Sequence, residues 1–171
     1  MLEVEGLLSN EECDWILSLS DSFEVAAVSR NNTKQKYEDL SFRKSEVSII
    51  QEQITEDQRD KLLGLIKPMG VKTLKKENEI HLLKYNEGSF FKEHVDGRDR
   101  YRSLIIQLSD SSDYVGGELV VEGKSISREK GTVVMFDSQV KHKVNVLSQG
   151  QRMSLILWLK PNNIVNQKTI I

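Results

Sequence analysis

The sequence predicts an α+β fold that is mainly β, with helices first and a sandwich or barrel of antiparallel strands after them. Three observations predict it. Two capped amphipathic segments lie before Gly70. Beyond Gly70 the pattern changes to short apolar runs separated by turn residues. No helical pattern interrupts those runs, which argues against alternating β-α-β units.

The first helix is expected over Ser9–Leu19. It starts with Ser-Asn-Glu-Glu, a capping sequence, and places Cys13, Ile16 and Leu17 on one side. Arg30–Ser45 follows as a polar stretch with Asn31-Asn32 and Lys34-Gln35-Lys36 and no clear period. Two readings of it stand side by side, a solvated surface loop and a flap over a pocket. The second helix is expected over Thr55–Lys67, opening on Thr-Glu-Asp and carrying Leu62, Leu63, Leu65 and Ile66. Pro68 and Gly70 end it. Strands are then expected at Glu79–Asn86, Ser89–Val95, Tyr101–Ser109, Glu118–Glu122, Thr132–Phe136, Lys143–Leu147 and Met153–Leu159. The turns between them are Asn86-Glu87-Gly88, Asp110–Gly117, Gly131 and Ser148-Gln149-Gly150.

A chain of 171 residues suits one domain around one core. The expected division is an N-terminal support over about 1–78 and a β core over about 79–160. The net charge of −2 gives no electrostatic reason to expect nucleic acid or an anionic membrane as partner. Cys13 is the only cysteine, so no intramolecular disulfide forms, and a buried structural thiol is expected. The opening residues are acidic and lack a long apolar run, unlike a signal or transit peptide. No stretch approaches the ~20 apolar residues of a membrane span. The expectation is a cytoplasmic, soluble protein.

Three histidines are present, His81, His94 and His142. His94-Val95-Asp96 sets an imidazole and a carboxylate two residues apart, which on a strand is one face. Such a pair fits neighbouring positions on an octahedral metal. Iron(II) oxygen chemistry uses two histidines and one carboxylate on one face, with the other face open. His142 is the natural second histidine. A lone His-X-Asp is also a common surface hydrogen-bonded pair, so the surroundings matter. Ten residues after His142 comes Arg152, leading into an apolar strand. Guanidinium binds a carboxylate through two parallel hydrogen bonds and stays charged. Ser154, Ile156 and Trp158 share its strand parity, which favours an inward Arg152 over a solvated one.

Several short motifs occur in a fixed order. They are Leu8-Ser9-Asn10-Glu11-Glu12-Cys13, Tyr85-Asn86-Glu87-Gly88, His94-Val95-Asp96, Gly116-Gly117-Glu118-Leu119, Gly131–Phe136, and His142 with Arg152 and then Trp158. In this order and spacing the chain resembles the prolyl 4-hydroxylase-like branch of the 2-oxoglutarate/iron(II) dioxygenases, from about Leu7 to Leu159. The resemblance implies a double-stranded β-helix (jelly roll) with the N-terminal helices packed on its major sheet. It implies iron(II) on His94, Asp96 and His142, with 2-oxoglutarate and O2 as cosubstrates and ascorbate as reductant. Arg152 and Tyr85 then hold the far carboxylate of 2-oxoglutarate. Gln107, Leu119 and Ser154 contact the cosubstrate, and Trp158 walls the pocket. Core packing is the plain alternative for Tyr85 and Trp158.

The activity implied is hydroxylation of an unactivated C–H bond, leading with a prolyl residue of a peptide or protein, with 2-oxoglutarate decarboxylated to succinate. The same chemistry on a small molecule or free amino acid is the alternative, and a non-catalytic jelly-roll binding module is a third reading. Collagen-type members carry Lys where this chain has Arg152, which leaves the branch and the substrate open. Gly97–Arg102 either lines the substrate entrance or forms a charged hairpin turn. His81 is left over and reads as a structural histidine.

Overall fold

The computed structural model describes residues 1–29 and 36–165. The chain begins with β1 (Leu2–Val4) and α1 (Asn10–Leu17). Short strands follow, β2 (Glu24–Val25), β3 (Val28–Ser29), β4 (Lys36–Tyr37), β5 (Arg43–Lys44) and β6 (Glu46–Ile49). Next come α2 (Glu56–Ile66) and a 3-10 turn, Lys67–Met69. The remaining strands are β7 (Glu79–Tyr85), β8 (Phe90–His94), β9 (Arg102–Gln107), β10 (Tyr114–Gly116), β11 (Leu119–Val121), β12 (Lys124–Ser125), β13 (Val133–Asp137), β14 (His142–Val144), β15 (Leu147–Gly150) and β16 (Arg152–Leu159).

Both helices start where their capping residues dictate. Ser9 Oγ accepts from the Glu12 N–H at 3.2 Å, and the Glu12 carboxylate accepts from the Ser9 N–H at 2.8 Å. Thr55 and Gln58 repeat the arrangement at the same two distances. Each box satisfies two donors that a helix start leaves orphaned. Past α2, Gly70 adopts the left-handed conformation (φ 83°) that closes the 3-10 turn.

The strands build a seven-stranded major sheet in the order β1-β13-β9-β16-β7-β6-β2 and a five-stranded minor sheet in the order β12-β11-β14-β8-β5. Two strand pairs, β10-β15 and β3-β4, complete the set. The strand pairings among the described residues are antiparallel, as a jelly roll requires. Strand alternation then divides the interior in two. Ile80 and Leu82, Leu104 and Ile106, Leu155 and Leu157 face the helices, where Cys13, Ile16, Leu62 and Ile66 complete one core. Leu83 and Tyr85, Ile105, Ile156 and Trp158 face the minor sheet and meet Leu119, Val121 and Val144 in a second core. The candidate site residues lie at this second layer. Among the described residues no helix is long and apolar enough to cross a membrane.

Several expected boundaries need correction. The strand expected at Lys143–Leu147 is two strands. His142–Val144 pairs with β8 and β11, and Leu147–Gly150 pairs with β10. Ser148-Gln149-Gly150, expected as a turn, is therefore sheet, as is Tyr114–Gly116 inside the expected Asp110–Gly117 turn. The chain changes sheet partner at Asn145–Val146, and a break in pairing leaves no mark on hydrophobicity. Gly116 (φ 75°) makes the opposing bend, since a Cβ there would collide with the Val146 carbonyl. In the Arg30–Ser45 stretch, residues 30–35 lie outside the described residues. The solvated-loop reading fails at its C-terminal end, where Arg43–Lys44 joins the edge of the minor sheet. Sequence reading also missed β1 and β6, which pair with β13 and β7.

Candidate active site

His94, Asp96 and His142 converge, with one potential ligand atom from each lying within 4.8 Å of the others. The route differs from the one the spacing predicts. Strand β8 ends at His94, so Asp96 does not share a strand face with it. Two features bring the groups together. In the β8–β14 ladder, Phe91 opposes Val144 and His94 opposes His142, so two β8 residues span the place of one on β14. This bulge turns Lys92 and Glu93 outward and brings both Phe91 and His94 to the inner face. Past the strand, the Asp96 N–H donates to the Ser138 carbonyl at 2.8 Å, which folds the carboxylate back toward the histidines.

The imidazoles are set for a metal. His94 Nδ1 lies 2.7 Å from the Lys92 carbonyl, and His142 Nδ1 lies 2.9 Å from the Val140 carbonyl. A carbonyl only accepts, so each Nδ1 carries the proton and each Nε2 offers a lone pair. The rings are 4.2 Å apart, and Phe91 stacks on His94 at 3.6 Å. Burial, then the neighbouring His142, pushes the His94 pKa down to about 4. The ring is therefore neutral at pH 7, as a ligand must be.

Asp96 is buried and closely held. Its Oδ2 accepts from Ser103 Oγ, and Ser103 Oγ lies 2.9 Å from Ser138 Oγ. Its Oδ1 lies 3.7 Å from Arg100 Nη1. Arg100 forms two hydrogen bonds to Glu79, at 3.1 and 2.7 Å, and stacks on the Trp158 ring at 3.6 Å. The Gly97–Arg102 segment is thus a turn, with Arg100 N–H on the Gly97 carbonyl, and it also lines the mouth of the cavity. His81 lies there too, edge-on to Trp158 at 4.9 Å.

Beside the triad lies a narrow cavity that opens to solvent. Its walls are largely apolar, with Leu83, Ile105, Leu119, Val144 and Ile156 among them. Arg152, Tyr85, Ser154 and Trp158 also line it, as the sequence predicts. Arg152 and Tyr85 are each 1% exposed and face each other across the β16–β7 ladder. Gln107 is placed differently from the expectation. It is absent from the cavity wall, and its Oε1 accepts from Arg152 Nη2 at 2.8 Å. It faces the guanidinium because it precedes Arg152 in the layer, at the β9 position paired with Ser154.

Arg152 Nε and Nη1 are buried and make no hydrogen bond. The Ser154 hydroxyl and the Trp158 indole N–H share that condition. A buried, part-satisfied cation is costly and normally finds an anion. The unmet N–H donors of a guanidinium bind carboxylate oxygens. The residues present therefore suit a metal on the triad and a carboxylate-bearing molecule reaching back to Arg152.

Sequence reading missed three participants. Arg43 lines both the cavity and its mouth, donates from Nε to Ser45 Oγ at 2.8 Å and lies over the Phe91 ring at 4.6 Å. Its polar stretch carries no period that would signal an inward side chain. Ser103 and Ser138 are both 0% exposed. Ser103 was findable, because it shares parity with Ile105 and Gln107 at the head of an apolar strand.

Comparison with known proteins agrees with this geometry. Residues 80–160 match the family model of the 2OG-Fe(II) oxygenase superfamily. A PKHD-type hydroxylase of Idiomarina loihiensis is 28% identical over 150 residues, which are 82% of this chain and 66% of that protein. The matches to the next two relatives, also PKHD-type hydroxylases, span 29% and 39% of their length, so the chain covers less than two thirds of the first curated relatives. A Pseudomonas putida prolyl-4-hydroxylase superposes with a TM-score of 0.65 at 19% identity, over 93% of this chain and 91% of that one. A prolyl hydroxylase from Trichoplax adhaerens, solved with a peptide fragment of the hypoxia inducible factor oxygen degradation domain, gives 0.68 at 16% identity, over 94% and 83%. At these identities the two structures establish the shared fold. The chain is thus similar over residues 80–160 to the 2OG-Fe(II) oxygenase superfamily and over longer stretches to PKHD-type hydroxylases, and it shares the jelly-roll fold that brings His94, Asp96 and His142 together.

Proposed function

We propose that the chain is a 2-oxoglutarate-dependent dioxygenase that hydroxylates an unactivated C–H bond, foremost in a prolyl residue of a peptide or protein, and releases succinate. The observation that carries this reading is the buried Arg152 guanidinium, with two N–H groups unmet inside a cavity that also holds the triad. His94 Nε2, His142 Nε2 and the Asp96 carboxylate would hold iron(II) on one face and leave the opposite face open. When bound, iron(II) with 2-oxoglutarate and O2 supplies the oxidising chemistry, and ascorbate serves as reductant. Arg152, through its unmet N–H donors and with the Tyr85 hydroxyl, would hold the far carboxylate of 2-oxoglutarate. Ser154 offers a further hydroxyl from the same wall. Gln107 acts through Arg152 by fixing its third donor. Leu119, Ile105, Ile156 and Val144 keep water from the reacting centre. Trp158 forms the wall between cavity and mouth.

The mouth is partly open, and Ala27, Val28, Phe42, Arg43, Gly97 and Arg100 are among its walls. The relative from Trichoplax adhaerens holds a peptide fragment, which supports a peptide as the substrate class. Proline-containing peptides and free amino acids, each incubated with iron(II), 2-oxoglutarate and ascorbate, separate the two. The expected result is succinate release with a mass gain of one oxygen on a peptide. Oxygen gain on free amino acids alone would overturn the peptide assignment.

A further inference from the structure

We propose that Ser103, backed by Ser138, is the positioning residue that sets Asp96 for the metal. This inference rests on the reading of His94, Asp96 and His142 as metal ligands. Asp96 lies beyond the end of β8, so no sheet ladder holds its side chain. Its backbone is pinned twice, by its N–H to the Ser138 carbonyl at 2.8 Å and by Gln139 Nε2 to its carbonyl at 3.1 Å. Its carboxylate is fixed by Ser103 Oγ, which donates to Oδ2.

The direction of that hydrogen bond is forced. A carboxylate only accepts, so the Ser103 proton is committed to Asp96. Ser103 Oγ must then accept from Ser138 Oγ, 2.9 Å away. The result is a one-way relay from Ser138 to Ser103 to Asp96, with both hydroxyls fully buried. In a dry, low-dielectric layer each bond polarises the next. Ser103 heads a strand whose next residues, Leu104, Ile105 and Ile106, are apolar and buried. The relay fixes the carboxylate rotamer, with Oδ2 3.6 Å from His142 Nε2. It also occupies one Oδ2 lone pair and leaves the remaining ones for the metal. Outer-shell partners of this kind are worth about 10- to 100-fold in metal affinity.

Manganese(II) titration of the wild type, Ser103→Ala, Ser103→Thr, Ser138→Ala and the Ser103→Ala/Ser138→Ala double variant tests the relay. Melting temperatures of the metal-free proteins, and 2-oxoglutarate affinity at saturating manganese(II), are read beside it. Ser103→Ala is expected to weaken manganese(II) by about 10- to 100-fold. Its 2-oxoglutarate affinity at saturating metal should stay at the wild-type value. Ser103→Thr, which keeps the hydroxyl, should restore binding. Ser138→Ala should show a smaller loss, and the double variant should lose no more than Ser103→Ala, because Ser138 acts only through Ser103. Binding by Ser103→Ala equal to wild type overturns the proposal, as does a double loss equal to the product of the single losses. If Ser103→Ala does not fold, Ser138→Ala decides, and wild-type affinity there overturns the relay. A wild type that binds no manganese(II) sinks the metal-site reading itself, a different outcome from a tight wild type matched by its serine variants.

Discussion

Replacing Arg152 with Met separates cosubstrate binding from metal binding. The side chain is 1% exposed, with Nη2 on Gln107 and with Nε and Nη1 unmet. A hydrogen bond to a charged group contributes about 1.5–3 kcal/mol. Two such bonds to the far carboxylate of 2-oxoglutarate give about 3–6 kcal/mol, or roughly 10²- to 10⁴-fold in affinity. Arg152→Lys keeps the charge but loses the fork. It should lose about one of the two bonds, or roughly 10- to 150-fold. The metal-free protein should tolerate Met well. An unneutralised buried cation is removed, which stabilises, and this offsets the about 1–3 kcal/mol of leaving Gln107 Oε1 without its donor. The assay is calorimetric titration of 2-oxoglutarate into manganese(II)-loaded protein, with manganese(II) affinity measured separately. Arg152→Met binding 2-oxoglutarate within about threefold of wild type, with the metal site intact, would refute the assignment of Arg152 as the carboxylate clamp.

Three further outcomes follow from the same structure. Gln107→Leu should weaken 2-oxoglutarate by about fivefold, the worth of about 1 kcal/mol, without touching manganese(II) affinity; an unchanged 2-oxoglutarate affinity would remove Gln107 from the clamp. His94 is depressed from 6.5 to about 4, so the folded metal-free chain binds fewer protons than the unfolded one between those values. Its stability contribution is complete above about pH 6.5 and is lost as pH falls toward 4, so thermal unfolding should drop over that window, less so in His94→Gln; equal slopes in both proteins would contradict this. Gly131→Ala places a side chain at φ 84° against the Leu8 carbonyl, and should cost more than about 1 kcal/mol, lowering the melting temperature by more than about 2–4 °C. An unshifted melting curve would show that the loop there yields.

The fold was legible where side chains alternate or caps are explicit. Ser9 with Glu12 and Thr55 with Gln58 announce both helices. Leu155, Ile156 and Leu157 announce a strand buried on both faces. Leu147–Gly150 was not legible, because its hydrogen bonds to β10 are made by a polar run with only Leu147 buried. Edge strands such as β5 escape for the same reason, since backbone pairing leaves no imprint on Arg43-Lys44. The site was legible in its residues but not in its mechanics. His94, Asp96 and His142 meet as the motif suggests, yet a bulge in β8 and the Ser138 carbonyl bring them together rather than strand parity. Parity did work for Arg152, Ser154, Ile156 and Trp158, which occupy an unbroken eight-residue strand. Gln107 shares their layer, and only the structure shows that it reaches the guanidinium instead of the cavity.

On the proposed reading His94, Asp96 and His142 form one metal site. Equilibrium titration of manganese(II) into wild type and Asp96→Ala, followed by 2-oxoglutarate, tests it most directly. One manganese(II) per wild-type chain is expected, with one 2-oxoglutarate bound only once the metal is present, and loss of both in a folded Asp96→Ala protein. Equal manganese(II) binding by wild type and Asp96→Ala, or 2-oxoglutarate binding that ignores the metal, would contradict it.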